Sequence, residues 1–245
     1  MSKSRLAAGL VLAAGVLGVP AAISAATLSG TFNLDGTITV TGNTITWQDN
    51  AAVPNKATIA ATGATGSFAG LGNTEVTIQN LVNPPDVVGG AGFAATPFIS
   101  FDANPALPVL DINFIFPGPY SSAACSAAPA PGQTCTPSNP GGSPFGLSNL
   151  GSGGVVTGST AAFAFSGVTS DGLSTWKGNF TSQFNDPYQT VLAGLATNGS
   201  VTNTYSGTFL VSVTPRVPEP STYMLVLGSL GALFALRKKR AARLS

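Results

Sequence analysis

The sequence contains no histidine and few charged residues, which narrows the chemistry open to it. Only 8% of its 245 residues are Asp, Glu, Lys or Arg. Without histidine, neither a Ser-His-Asp triad nor a Cys-His pair can form, and the commonest ligand of transition metals is missing. Two cysteines alone would also make a poor zinc site. We therefore expect no catalytic residue, no metal site and no cofactor.

Two patterns leave a catalytic alternative open. Ser174 and Lys177 fit the S-x-x-K motif of penicillin-binding enzymes, but the companion motifs S-D-N and K-T-G are missing from the sequence. A glycosidase needs two carboxylates at a set separation, and Glu75 with a neighbouring Asp is a candidate pair. The sequence does not show which acids meet in space. A secreted glycosidase therefore stays an alternative to a non-enzymatic protein.

Basic residues are concentrated near the two ends of the chain, so the central part is acidic. Between positions 27 and 215, the two bases Lys56 and Lys177 stand against eight acids, which gives a formal net charge of −6. A surface of this sign repels polyanions. We predict that the protein does not bind nucleic acid.

The first 26 residues have the order of charge and hydropathy that is typical of a secretion signal. Lys3 and Arg5 precede the apolar segment 6–19, and small residues follow at 20–26. The apolar segment is too short for a comfortable membrane span, and no charged stop follows it. We predict that 1–26 is a signal peptide, cleaved after Ala25 or Ala26, and that 27–215 is the extracellular body.

The other end of the chain carries a motif in three parts. A Pro-Glu-Pro tripeptide is followed by Ser-Thr, by the apolar segment 223–236 and by a basic cluster. The residues of the tripeptide and of the cluster are Pro218, Glu219, Pro220, Arg237, Lys238, Lys239 and Arg240. This order resembles the PEP-CTERM sorting signal, and the resemblance is confined to residues 217–245. It implies that an exosortase-type membrane protease recognises and cuts the tail, 216–245, and passes the protein outward.

The physical properties of the tail are consistent with transient insertion into the membrane. As a helix, the 14 residues of 223–236 would be about 21 Å long, which is shorter than the ~30 Å hydrocarbon core. The basic cluster 237–240 would act as a stop on the cytoplasmic side. Pro218 and Pro220 hold the preceding chain extended, the form that a protease accepts. We predict a sorting signal, with a permanent single-span anchor as the alternative.

The body is predicted to be β-structure, because the chain is rich in glycine (30) and proline (18) and the body contains short alternating segments. In segment 37–47, two alternating arms flank the dipeptide Gly42-Asn43, as in a hairpin. The predicted buried face of this hairpin consists of Ile38, Val40, Ile45 and Trp47. Further strands are predicted at 75–78, 97–101, 110–116, 161–165, 174–180 and 202–213. The expected fold is all-β, with an antiparallel sandwich or jelly-roll-like body.

A long loop rich in Pro, Gly and Ser is predicted at 117–154, and it contains both cysteines. In an exported chain, Cys125 and Cys135 most simply form one disulfide. Two free thiols are the alternative to this disulfide.

Three classes of function follow from these features. The first is a non-enzymatic cell-surface or extracellular-matrix protein, which the resemblance favours because such signals accompany exopolysaccharide-producing envelopes and biofilms. The second is a carbohydrate-binding or adhesive β-module, and the third is the glycosidase. The expected partners are the exosortase-type protease, the membrane and exopolysaccharide.

Overall fold

Twelve β-strands and the helix α1 form the body in the computed structural model, which describes residues 27–215 and 229–230. The strands are β1 (Gly30–Thr41), β2 (Thr44–Gln48), β3 (Lys56–Ile59), β4 (Glu75–Ile78), β5 (Leu81–Val82), β6 (Thr96–Phe101), β7 (Leu110–Ile115), β8 (Thr134–Cys135), β9 (Gly146–Ser152), β10 (Val155–Thr169), β11 (Ser174–Phe184) and β12 (Ser200–Val213). The helix α1 spans Tyr188–Asn198, and a 3-10 turn spans Gly66–Phe68.

Eight of the strands close into an antiparallel barrel. Around the barrel the order is β1, β3, β4, β6, β7, β10, β11, β12 and back to β1. The remaining strands extend it: β2 pairs with β1 and β5, and β9 pairs with β10 and β8. Every one of these pairs is antiparallel.

The barrel confirms the all-β prediction and shows that the expected sandwich or jelly-roll is wrong. The difference lies in β10, whose 15 residues pair with β11 on one side and with β7 and β9 along the other. The β10–β11 pairing joins the two ends of the sheet. Closure pairs backbone groups that would lie along open edges in a sandwich, and it gives the twisted strands one common interior.

Aromatic rings fill the interior of the barrel and lie opposite glycines on neighbouring strands. In the register of β11 with β12, Gly178 faces Phe209 and Phe180 faces Gly207. A β-carbon at Gly178 would lie 2.7 Å from the Phe209 ring, and one at Gly207 would lie 2.9 Å from the Phe180 ring. Glycine is needed at both positions because a side chain would push the opposite ring out of the core.

The barrel is blocked at the end where β1 begins and β12 ends, which we call the closed end. There the 3-10 turn places the fully buried Phe68 between two other rings. Its centroid lies 4.6 Å from that of Phe32 and 5.3 Å from that of Phe101. These three rings pack together at the closed end of the core.

Both ends of the body are held at the closed end. The Ser174 hydroxyl donates a hydrogen bond to the Leu28 carbonyl at 2.7 Å. The Thr214 amide donates to the Leu173 carbonyl at 2.9 Å. The segments that precede and follow the body therefore join it on the same side.

Several strand predictions agree with the structure. The hairpin 37–47 is present as β1 and β2, with Ile38 opposite Trp47 and Val40 opposite Ile45. Each of the six further segments coincides with a strand or lies largely within one. The predicted loop 117–154 differs, because it contains the two strands β8 and β9. β8 pairs with β9, and β9 pairs with β10, a strand outside the predicted loop.

The two terminal predictions lie outside the described residues. These are the signal peptide 1–26 and, apart from the helical residues 229–230, the tail 216–245. Within the part of the chain that the structure describes, no helix combines the length and hydropathy that a membrane span requires.

Candidate functional site

A pocket of about 290 Å³ lies at the end of the barrel where β1 ends and β12 begins, which we call the pocket end. Apolar side chains form most of its wall and come from the β1–β2 hairpin, from β9 and β10, and from α1. Examples are Ile38, Ile45, Leu147, Phe163 and Leu195. The first four are buried, so the wall continues into the core of the barrel.

The helix α1 forms one side of the pocket. Val191, Leu192 and Leu195 line it, and Tyr188 is buried one turn earlier. Their spacing of i, i+3, i+4 and i+7 is that of an amphipathic helix. Gly199 ends the helix in the left-handed conformation, at φ 77°. The sequence analysis missed this helix, although the apolar spacing and the terminal glycine were the signals that would have revealed it.

A disulfide holds the segment beside this helix. Cys125 and Cys135 are bonded, with their Cα atoms 5.2 Å apart, as the sequence predicted. Cys135 is fully buried and packs in a small apolar cluster with Leu147, Ala161 and Tyr188. Leu147 and Ala161 also line the pocket, so the disulfide supports its wall.

Side-chain amides join the same segment to α1. The buried Asn149 accepts a hydrogen bond from the Tyr188 amide at 2.9 Å and donates to Gln189 Oε1 at 3.0 Å. Gln189 Nε2 donates to Gln133 Oε1 at 2.7 Å. The Tyr188 hydroxyl donates to the Ala124 carbonyl at 3.0 Å. These bonds fix the first turn of the helix against the disulfide-containing segment.

Several polar side chains at the rim of the pocket are hydrogen-bonded to the backbone. Asn139 Nδ2 donates to the Gly42 carbonyl at 2.8 Å, and Asn83 Nδ2 donates to the Gly141 carbonyl at 2.8 Å. Among the described residues that line the pocket, Asp86 is the one acid, and its Oδ2 accepts from a backbone amide at 2.8 Å. The arrangement therefore suits binding by burial of apolar surface.

The acids of the predicted glycosidase pair lie outside the pocket. Glu75 is exposed on β4, and the Asp102 amide donates to its carbonyl at 3.3 Å. The Asp102 carboxylate bonds Lys56 and Thr77 on the outer wall of the barrel. Neither acid lines the pocket. The structure brings these two acids near each other without placing them at a cleft.

The S-x-x-K motif lies on β11, where successive side chains alternate between the two faces of the barrel wall. Ser174 points inward and bonds the Leu28 carbonyl. Lys177 points outward, with its Nζ 4.8 Å from the centroid of the Phe116 ring. A serine and a lysine on opposite faces of a strand do not meet. The motif therefore has no catalytic geometry.

Three buried polar atoms in the described residues have no hydrogen-bond partner: Trp47 Nε1, Asp111 Oδ1 and the Tyr205 hydroxyl. The Trp47 and Tyr205 rings meet edge-on in the barrel interior, with centroids 5.1 Å apart. Burial, and then the charge of Asp35, raise the pKa of Tyr205 above its ordinary value of 10.0. Burial also raises the pKa of Asp111. None of these side chains lines the pocket.

No group of three or more His, Cys, Asp or Glu side chains is placed to hold a metal ion within residues 27–215 and 229–230. The predicted sorting motif, Pro218 to Pro220, and the basic cluster, Arg237 to Arg240, lie outside the described residues. Comparison with known proteins adds no relative: no protein-family model, no curated protein and no solved structure matches this chain.

Proposed function

We propose that this chain is a non-enzymatic exported protein of the cell surface or extracellular matrix. The observation that carries the proposal is the disulfide between Cys125 and Cys135, in a body preceded by a signal-like sequence. Disulfides persist in oxidising compartments and are rare in the cytosol. The bond supports export, and the absence of histidine supports a role other than catalysis.

The tail is the proposed sorting device. An exosortase-type membrane protease would recognise Pro218, Glu219 and Pro220 while the segment 223–236 lies in the membrane. Because the body ends at the closed end of the barrel, the tail would tether that end. The pocket end would then face away from the membrane, toward the exopolysaccharide outside.

Variants of the tail test this proposal in the native host. Replacing Pro218, Glu219 and Pro220 by Ala leaves the apolar segment and its charges intact, so uncut protein should accumulate in the membrane. Replacing the four residues 237–240 by Ser is the comparison, because loss of the stop should let uncut chain slip outward. The mass of wild-type protein recovered from the cell surface distinguishes a sorting signal from an anchor. If that protein still contains 225–240, the tail is a plain anchor.

The carbohydrate-binding alternative has less support in the barrel. Aromatic rings commonly stack on sugars, but Trp176 and Tyr205 are both buried in the interior. A glycan array with the mature protein tests this alternative directly. The glycosidase alternative lacks a pair of acids at the pocket, where Asp86 is the one acid among the described lining residues.

A further inference from the structure

We propose that the pocket end binds a small, uncharged molecule with one unbranched apolar chain of about ten to twelve carbon atoms. This inference is separate from the sorting proposal, because the pocket is built entirely from the body. Its size, its wall and its charge each restrict the ligand.

The size of the pocket sets the size of the chain. An apolar cavity of ~150 Å³ in a protein core binds one benzene molecule. The present pocket measures about 290 Å³, which is close to twice that volume. It therefore accepts roughly twelve carbon atoms, at the small end of the range for ligand pockets.

The wall of the pocket favours an aliphatic chain. Branched aliphatic side chains approach from opposite sides, with Ile38 and Ile45 on the hairpin and Val191 and Leu195 on the helix. The rim amides of Asn83 and Asn139 each donate to a backbone carbonyl, which reduces what the rim offers to a ligand rich in hydroxyl groups. Binding energy at this site comes from burial of the ligand's apolar surface.

The charge around the pocket excludes an acidic head group. The body's two bases are placed elsewhere: Lys56 pairs with Asp102 on the outer wall, and Lys177 lies over the Phe116 ring. No lysine or arginine lines the pocket among the described residues, whereas Asp86 does. A carboxylate at the rim would find no cation and would be repelled, so a neutral head group such as an alcohol is preferred.

Photolabelling of the full chain in native envelope preparations tests the proposal. The probe is a ten-carbon primary alcohol with a diazirine in its chain, and mass spectrometry locates the label. We expect labels on the 188–198 segment of α1 and on β10. The matching ten-carbon acid should label these peptides at least fivefold less at pH 8. Equal labelling by the acid would overturn the prediction that the ligand has a neutral head group.

Competition with unlabelled alcohols measures the chain length. Each added methylene should strengthen competition about fourfold at equal free concentration, which corresponds to ~0.8 kcal/mol per methylene. Hexan-1-ol should therefore be roughly two-hundredfold weaker than decan-1-ol. The gain should stop near twelve carbons, when the pocket is full. Competition that does not depend on chain length would overturn the proposal.

Matched variants on α1 test whether the labelled site is the pocket. Leu195→Trp fills the pocket from the helix and should reduce labelling at least fivefold. Ala193→Trp adds the same ring on the exposed face of the helix and should leave labelling within twofold of wild type. Val201→Phe fills the pocket from β12. It replaces Leu195→Trp in the test if the melting temperature of Leu195→Trp is far below that of wild type. Undiminished labelling in a folded filled variant would refute the site.

These readouts separate the two proposals. The label is read on α1 and β10, whether or not the tail has been cut. Label confined to the tail peptides would refute the pocket while leaving the sorting proposal intact. Conversely, a retained tail with a labelled α1 would refute sorting and support the pocket.

Discussion

The buried hydroxyl of Tyr205 gives a sharp test of the barrel interior. It has no hydrogen-bond partner among the described residues and lies beside the Trp47 ring. A buried polar group without a partner costs roughly 1–3 kcal/mol. Tyr205→Phe should therefore raise the free energy of unfolding at pH 8 by about 1 kcal/mol, after a small loss of packing. Tyr120→Phe, at an exposed tyrosine, is the control and should change it by less than about 0.5 kcal/mol.

The same variant should alter the response to alkaline pH. Burial raises the folded-state pKa of Tyr205 above the unfolded value of 10.0, so the folded state favours the neutral phenol. This contribution is fully present below pH 10 and is lost as the unfolded phenol ionises above it. Between pH 8 and pH 11 the loss amounts to about 1.4 kcal/mol in wild type and is absent from Tyr205→Phe.

Urea denaturation of both proteins at pH 8, 9, 10 and 11 measures the two effects. The variant should be more stable at pH 8, and its advantage should grow by about 1.4 kcal/mol at pH 11. If the difference in the free energy of unfolding between the two proteins stays the same from pH 8 to pH 11, the raised pKa of Tyr205 is refuted. A variant less stable than wild type by 1 kcal/mol at pH 8 would show instead that the hydroxyl has a partner, such as a bound water.

The further predictions concern the disulfide and three glycines. Reduction of the Cys125–Cys135 bond, which closes a separation of 10 residues, should lower the free energy of unfolding by about 2.7 kcal/mol in urea denaturation; a loss below 1 kcal/mol would contradict it. Gly194→Ala in α1 meets open space and should raise the stability by about 0.5–1 kcal/mol, measured as a higher melting temperature. Gly167→Ala would press a β-carbon onto a backbone carbonyl of β7 and should cost about 3 kcal/mol or more, whereas Gly42→Ala in the open turn should cost less than about 0.5 kcal/mol.

Local features of the body were predictable because their causes are local. The alternation on both sides of Gly42-Asn43 indicates the hairpin, and the alternation in β11 shows which residues face inward. The cysteines are close in the chain and lie in a body that the sequence predicts to be exported, so their pairing was the simplest prediction. Each of these inferences needs only a short stretch of sequence.

The closure of the barrel was not predictable from such stretches. Period-two alternation tells which face is buried but not which strand lies alongside. The partner of Gly30 is Val211, at the other end of the body, and β10 uses β7, β9 and β11 together. A sandwich and a barrel share this local pattern, and here the pairing of β10 with β11 closes the sheet. The pocket was hidden for the same reason, since its wall combines residues from Ile38 to Asn203.

The two ends of the barrel interior differ in packing. An eight-stranded barrel has an interior just wide enough to be filled by side chains or to hold one small ligand. Toward the closed end, rings such as Phe32, Phe68 and Phe209 stack and fill the cross-section. Toward the pocket end, the lining residues include smaller side chains such as Ala161 and Val201, and about 290 Å³ stays unfilled. Aromatic rings pack the closed end, whereas the pocket end of the same barrel is only partly filled. The pocket end is therefore where this fold has room for a ligand.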